Sequence, residues 1–128
     1  MARGRRFTSL LGVGSAVLGC GLVSYLVLGP TYAYCEGRLD APLECGTRSM
    51  MEAHGVPPAV FGVAIAYFAV GLGSILVASG RASGRWLMLA ATVPLVGVGL
   101  VSFGLATLLP VTCVAVLATL TAFVSAQR

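Results

Sequence analysis

Three long stretches of this chain carry no charge: residues 7–30, 55–80 and 86–127. Between the first two lies a polar stretch, 31–54, that holds all four acidic residues, Glu36, Asp40, Glu44 and Glu52. A charged side chain at the centre of a spanning helix costs about 2.5–3.5 kcal/mol on insertion scales, so charge-free windows of this length read as membrane spans. One span needs about 20 mainly apolar residues. Residues 10–28 and 59–78 each supply one. The third window is too long for a single helix, and it divides at Pro110, because proline suits the first turn of a new helix and disrupts the interior of an old one. The pattern predicts spans at 10–28, 59–78, 86–105 and 110–126, with a loop over 31–54, all in one domain covering 1–128.

Composition agrees with the pattern: 58% hydrophobic and 9% charged residues, with a mean hydropathy of +0.97, lie outside the range of a soluble domain. The expected class is an all-α membrane protein, a four-transmembrane-helix bundle. Arg3, Arg5 and Arg6 before an apolar run also fit a secretory signal. That run is long for a signal, however, and Leu28-Gly29-Pro30 is a poor small-residue cleavage site, so the first span is expected to stay in the mature protein.

The net charge of +4 reflects topology rather than nucleic-acid binding. With four spans, Arg3, Arg5, Arg6, Arg81, Arg85 and Arg128 share one side, which the positive-inside rule makes cytoplasmic. Both termini are then inside and the 31–54 loop faces outward. No span contains an ionisable acid or base, which argues against proton pumping and ion conduction. There is no Ser/His/Asp constellation and no phosphate-cradling glycine loop. His54, the single histidine, lacks the further ligands that a metal site needs. Tyr25, Tyr32 and Tyr34 fit an outer aromatic belt and Trp86 an inner one. Among the 17 glycines, Ser15 with Gly19 and Gly62 with Ala66 place small residues four apart for close helix contact. Pro94 should kink the third span, its freed carbonyl being met by Thr92 or Ser102.

The four cysteines change the picture from scaffold to chemistry. Cys20 falls near the middle of the first span, on the order of 10 Å below its outer end. Cys35 and Cys45 in the loop, and Cys113 in the first turn of the fourth span, share the oxidising outer side. Two readings of Cys35 and Cys45 stand open. One is a structural disulfide that stabilises by about 3 kcal/mol; the other is an exposed, exchangeable redox pair. Cys113 is either a small apolar residue packed between helices or a thiolate favoured by the amides and dipole of a helix N-terminus.

Several weak motifs in order along nearly the whole chain carry a resemblance. The first span ends with Ser24-Tyr25-Leu26, and a loop cysteine, Cys35, follows about ten residues later; Cys45 comes next. The second span opens with Gly55-Val56-Pro57 and then Gly62, a G-x-P-x-x-x-x-G pattern, with Tyr67 shortly after. The fourth span opens with a cysteine in its first turn. In these features the chain resembles the vitamin K epoxide reductase family of membrane thiol oxidoreductases. The family's active-site helix carries C-x-x-C, whereas this chain reads Pro110-Val111-Thr112-Cys113, so the first cysteine of the pair is replaced by Pro110.

The resemblance implies that Cys113 is the quinone-proximal cysteine, with a ubiquinone- or menaquinone-type cofactor forming a charge-transfer or covalent adduct beside it among the four helices. It implies that Cys35 and Cys45 are the loop pair that exchanges electrons with a thioredoxin-like soluble partner outside a bacterial cytoplasmic membrane. Without the cysteine at position 110, the usual two-disulfide relay cannot run unchanged. A second expectation follows from that loss: a catalytically inactive small subunit or scaffold of a larger membrane complex, embedded in lipid, with Cys35–Cys45 as a structural bridge.

Overall fold

The computed structural model describes residues 2–30, 32–53, 55–101 and 109–127. Thr31, His54, Ser102, Leu105 and Arg128, each invoked above, lie outside the described residues. The elements in chain order are α1 (Ala2–Leu28), β1 (Tyr32–Glu36), β2 (Glu44–Arg48), α2 (Met50–Ala53), α3 (Pro58–Ala78), α4 (Ser83–Val101) and α5 (Leu109–Gln127). The protein is mainly helical. Helices α1, α3 and α5 are long and apolar enough to cross a membrane, and α4 is apolar over a shorter stretch, Ser83–Val98.

Element ends follow local chemistry. Helix α1 begins at Ala2, well before the expected span, because arginine is a good helix former and nothing between Ala2 and Leu10 breaks the ladder. Pro58 opens α3 in its first turn, where the missing amide proton costs nothing. At the other end Gly80 takes a left-handed φ of 84°. Its amide bonds the Val77 carbonyl and the Arg81 amide bonds the Leu76 carbonyl, the Schellman arrangement that glycine alone adopts without strain. Pro94 lies inside α4 without ending it. Thr92 does not answer the carbonyl that Pro94 leaves free: its hydroxyl lies 2.6 Å from the Met88 carbonyl and 2.9 Å from Thr119 Oγ1 on α5.

Helix α1 packs on α3 and α5, and α4 packs on α3 and α5. The core holds Tyr67, Val70, Met88, Leu95, Ala115 and Ala118. Close contact depends on missing side chains, as it does generally for helices that must pack in lipid. A Cβ at Gly12 would strike Ser74, one at Gly71 would lie 2.7 Å from the Ala16 methyl, and one at Gly19 would enter the Tyr67 ring. These contacts run in opposite order along α1 and α3, so the two helices are antiparallel. Between α3 and α4 a Cβ at Gly84 would sit 2.5 Å from the Gly73 carbonyl oxygen. Gly19 and Ser15 are buried as expected, whereas Gly62 faces open space and packs on nothing. The outward faces carry Leu10, Val17, Phe61, Ile65, Phe68 and Leu120, all exposed, as suits helices solvated by lipid.

Candidate functional site

The polar loop is more ordered than its composition implied. Strands β1 and β2 form a two-stranded antiparallel hairpin in which Cys35 stands directly opposite Cys45. Their Cα atoms are 4.1 Å apart and a disulfide joins them. Both residues are exposed.

The pleat puts the bridge on one face and a polar cluster on the other. Tyr34 lies over Gly46, where an added Cβ would approach the ring to 3.1 Å. The Arg48 guanidinium stacks 3.9 Å from the centroid of the Tyr34 ring and pairs with Glu36 at 2.9 Å. Its pKa is raised above the ordinary arginine value by hydrogen bonding to Tyr34, with pairing to Glu36 adding to the effect, so it is cationic at every working pH. Arg48 thereby offsets the direct opposition of Glu36 and Glu44, an arrangement that is otherwise destabilising. Glu52 has a structural task. Its carboxylate accepts from the Ser49 amide and its own amide donates to Ser49 Oγ, the reciprocal box that starts a helix.

Cys113 sits elsewhere. It is free and exposed on α5, and no disulfide joins it to the hairpin pair. Exposed Leu109, Leu117 and Leu120 share that flank of the helix, since residues three, four and seven apart fall on one face. Cys113 therefore looks out from the bundle into its apolar surroundings, not into an interior pocket among the helices. Its neighbour Thr112 faces the other way: the buried Tyr67 hydroxyl lies 2.8 Å from Thr112 Oγ1. Tyr67 is nine residues into α3, so this contact sets Thr112 and Cys113 on the order of 10 Å along the bundle from the start of α3, with Cys113 in the first turn of α5 as the sequence predicted. Cys20 is half-buried, with its thiol 3.8 Å from the Ala64 carbonyl. It lines an outward-facing groove of about 340 Å³ between α1 and α3 with Val17, Phe68 and Leu72. Among the described residues no group of three or more His, Cys, Asp or Glu side chains is placed to hold a metal ion.

Sequence reasoning found the bridge and Tyr67 but missed Thr112, which lies 45 residues away from its partner. It also read Arg5, Arg81 and Arg85 only as topology signals, although they share one cavity. Comparison with known protein families, with curated proteins and with solved structures yielded no match.

Proposed function

We propose that the protein is a membrane thiol–disulfide oxidoreductase of the vitamin K epoxide reductase kind, working with two loop cysteines and one lipid-facing cysteine. The observation that carries this reading is the exposed Cys35–Cys45 bridge on its hairpin, because solvent access is what a partner thiolate needs to attack a sulfur. A substrate dithiol on the outer side reduces the bridge and leaves as a disulfide, so that Cys35 and Cys45 become thiols. Reoxidation of those two thiols passes two electrons and two protons to a quinone, which leaves as the hydroquinone. Cys113 faces the apolar side from which a lipid-soluble quinone would arrive, and its sulfur would hold the quinone ring, which would supply the two-electron acceptor. The source of the substrate electrons is a thioredoxin-like partner.

A second reading, an inactive supporting subunit of a larger membrane complex, is favoured by one observation: Pro110 stands where the relay's first cysteine belongs, and Cys113 is not joined to the loop pair. One experiment separates the two. The oxidoreductase copurifies with quinone, loses quinone-dependent thiol oxidation in Cys113→Ala, and gains activity in Pro110→Cys. Cys113→Ala is expected to fold, because an exposed cysteine gives up little packing. If wild-type protein and Pro110→Cys are equally inert towards quinones of both types, the catalytic reading fails and the supporting role stands.

A further inference from the structure

At the end of the bundle remote from the hairpin, the start of α1, the α3–α4 turn and the end of α5 border an open cavity of about 200 Å³. Arg5, Arg81 and Arg85 line it, together with Ser125 and the apolar walls of Val77 and Ala122. Three cationic side chains lining one groove repel each other, and an anion between them relieves that repulsion. The protein supplies no side-chain carboxylate for that role: all four acids belong to residues 36–52, on the hairpin and α2. Among the described residues the single ion pair, Arg48–Glu36, is on the hairpin as well.

Arg85 adds an independent sign. Its Nε is buried and has no hydrogen-bond partner, and a buried donor left unsatisfied is costly enough that it ordinarily has a partner. The guanidinium carbon is 5.8 Å from the centroid of the Phe123 ring, so the group lies beside α5. The backbone is shaped for the cluster too. The Schellman turn at Gly80 delivers Arg81 directly after α3, and the Gly80 Cα lies beside Arg5, whose Nη1 is 3.5 Å from where a Cβ would be.

We propose that this cavity binds the phosphate group of an anionic phospholipid headgroup. Planar guanidinium forks match phosphate oxygens in pairs, and basic pockets between membrane helices are suited to lipid headgroups. The surroundings favour a lipid over a free anion. Exposed Trp86, Leu89, Val93, Leu120 and Val124 continue from this end along α4 and α5, offering an apolar path for acyl chains. Trp86 packs edge-on against Phe123, with centroids 5.6 Å apart, at the level where aromatic side chains mark a bilayer interface.

The test uses the full chain in neutral detergent, with thermal unfolding and native mass spectrometry read against added phosphatidylglycerol, phosphatidylcholine and inorganic phosphate. Phosphatidylglycerol should raise the unfolding temperature and remain bound in the spectrometer, while phosphatidylcholine and inorganic phosphate should do neither. Arg81→Gln with Arg85→Gln should weaken phosphatidylglycerol binding by about thirtyfold, and Arg38→Gln on the hairpin, with the same charge change per site, should leave it unchanged. Arg85→Lys keeps the charge but loses the fork and should fall between the two, which preserves the test if the double variant folds poorly. Equal binding of phosphatidylcholine, or full binding by the double variant, overturns the proposal. Stabilisation by inorganic phosphate that matches phosphatidylglycerol and vanishes in the double variant overturns the lipid assignment and makes this a site for a free anion.

Discussion

At the scale of single residues, the contact between Gly19 and Tyr67 decides how α1 meets α3. The Tyr67 ring occupies the space a side chain at position 19 would fill, and the ring is wholly buried, so it has no free direction in which to yield. Gly19→Ala should therefore destabilise the bundle by about 1–3 kcal/mol, the usual range for overpacking, despite the better helix propensity of alanine. Thermal unfolding in detergent measures this. The cause is checked by combining the change with Tyr67→Ala: if the two losses simply add, the clash is not their source, because groups in contact do not behave independently. Tyr67 was visible in the sequence as a tyrosine following G-x-P-x-x-x-x-G. Its hydroxyl partner was not, since neither the period of α3 nor that of α5 relates position 67 to position 112.

At the scale of elements, the hairpin and the helices should prove separable. The bridge closes a separation of 10 residues within an exposed hairpin, so its stabilisation, about 3 kcal/mol in the loop-entropy view, acts on the hairpin alone. Cys35→Ser with Cys45→Ser should make residues 37–43 readily cleaved by protease while the helices unfold at nearly the wild-type temperature. A fall as large as that caused by Gly19→Ala would instead mean that the hairpin braces the bundle. The helices were legible because lipid imposes one strong rule, the exclusion of charge over about 20 residues. The strands were not: Tyr-Ala-Tyr-Cys-Glu and Glu-Cys-Gly-Thr-Arg carry no alternating apolar face, and what orders them is the disulfide and the Arg48–Tyr34–Glu36 stack, which exist only once the strands are paired. The S-x-x-E box at Ser49 could have been read as a helix start, yet the helix it caps is only Met50–Ala53, too short to leave a periodic pattern.

For the molecule as a whole, the arginine cavity and the disulfide hairpin mark opposite ends, and the depth of Cys113 lies between them. Topology therefore has a chemical readout. The arginine distribution expects the hairpin outside and the cavity inside, so in intact cells, after mild reduction, a membrane-impermeant maleimide should label Cys35 and Cys45. Ser125→Cys, introduced at the cavity end, should react with the same reagent only after permeabilisation; the reverse pattern would invert the orientation. Cys113 should behave as neither. It is exposed, but the stripe it shares with Leu109, Leu117 and Leu120 is apolar, and the Tyr67–Thr112 contact holds it on the order of 10 Å along the bundle from the start of α3. Exposure there means contact with hydrocarbon, which a hydrophilic reagent does not enter. An apolar, membrane-permeant maleimide should accordingly label Cys113 slowly, the impermeant one not at all in sealed or opened membranes, and both rapidly once the chain is denatured. Rapid labelling of native Cys113 by the impermeant reagent would place it in water and remove the lipid-side route by which a quinone is proposed to reach it.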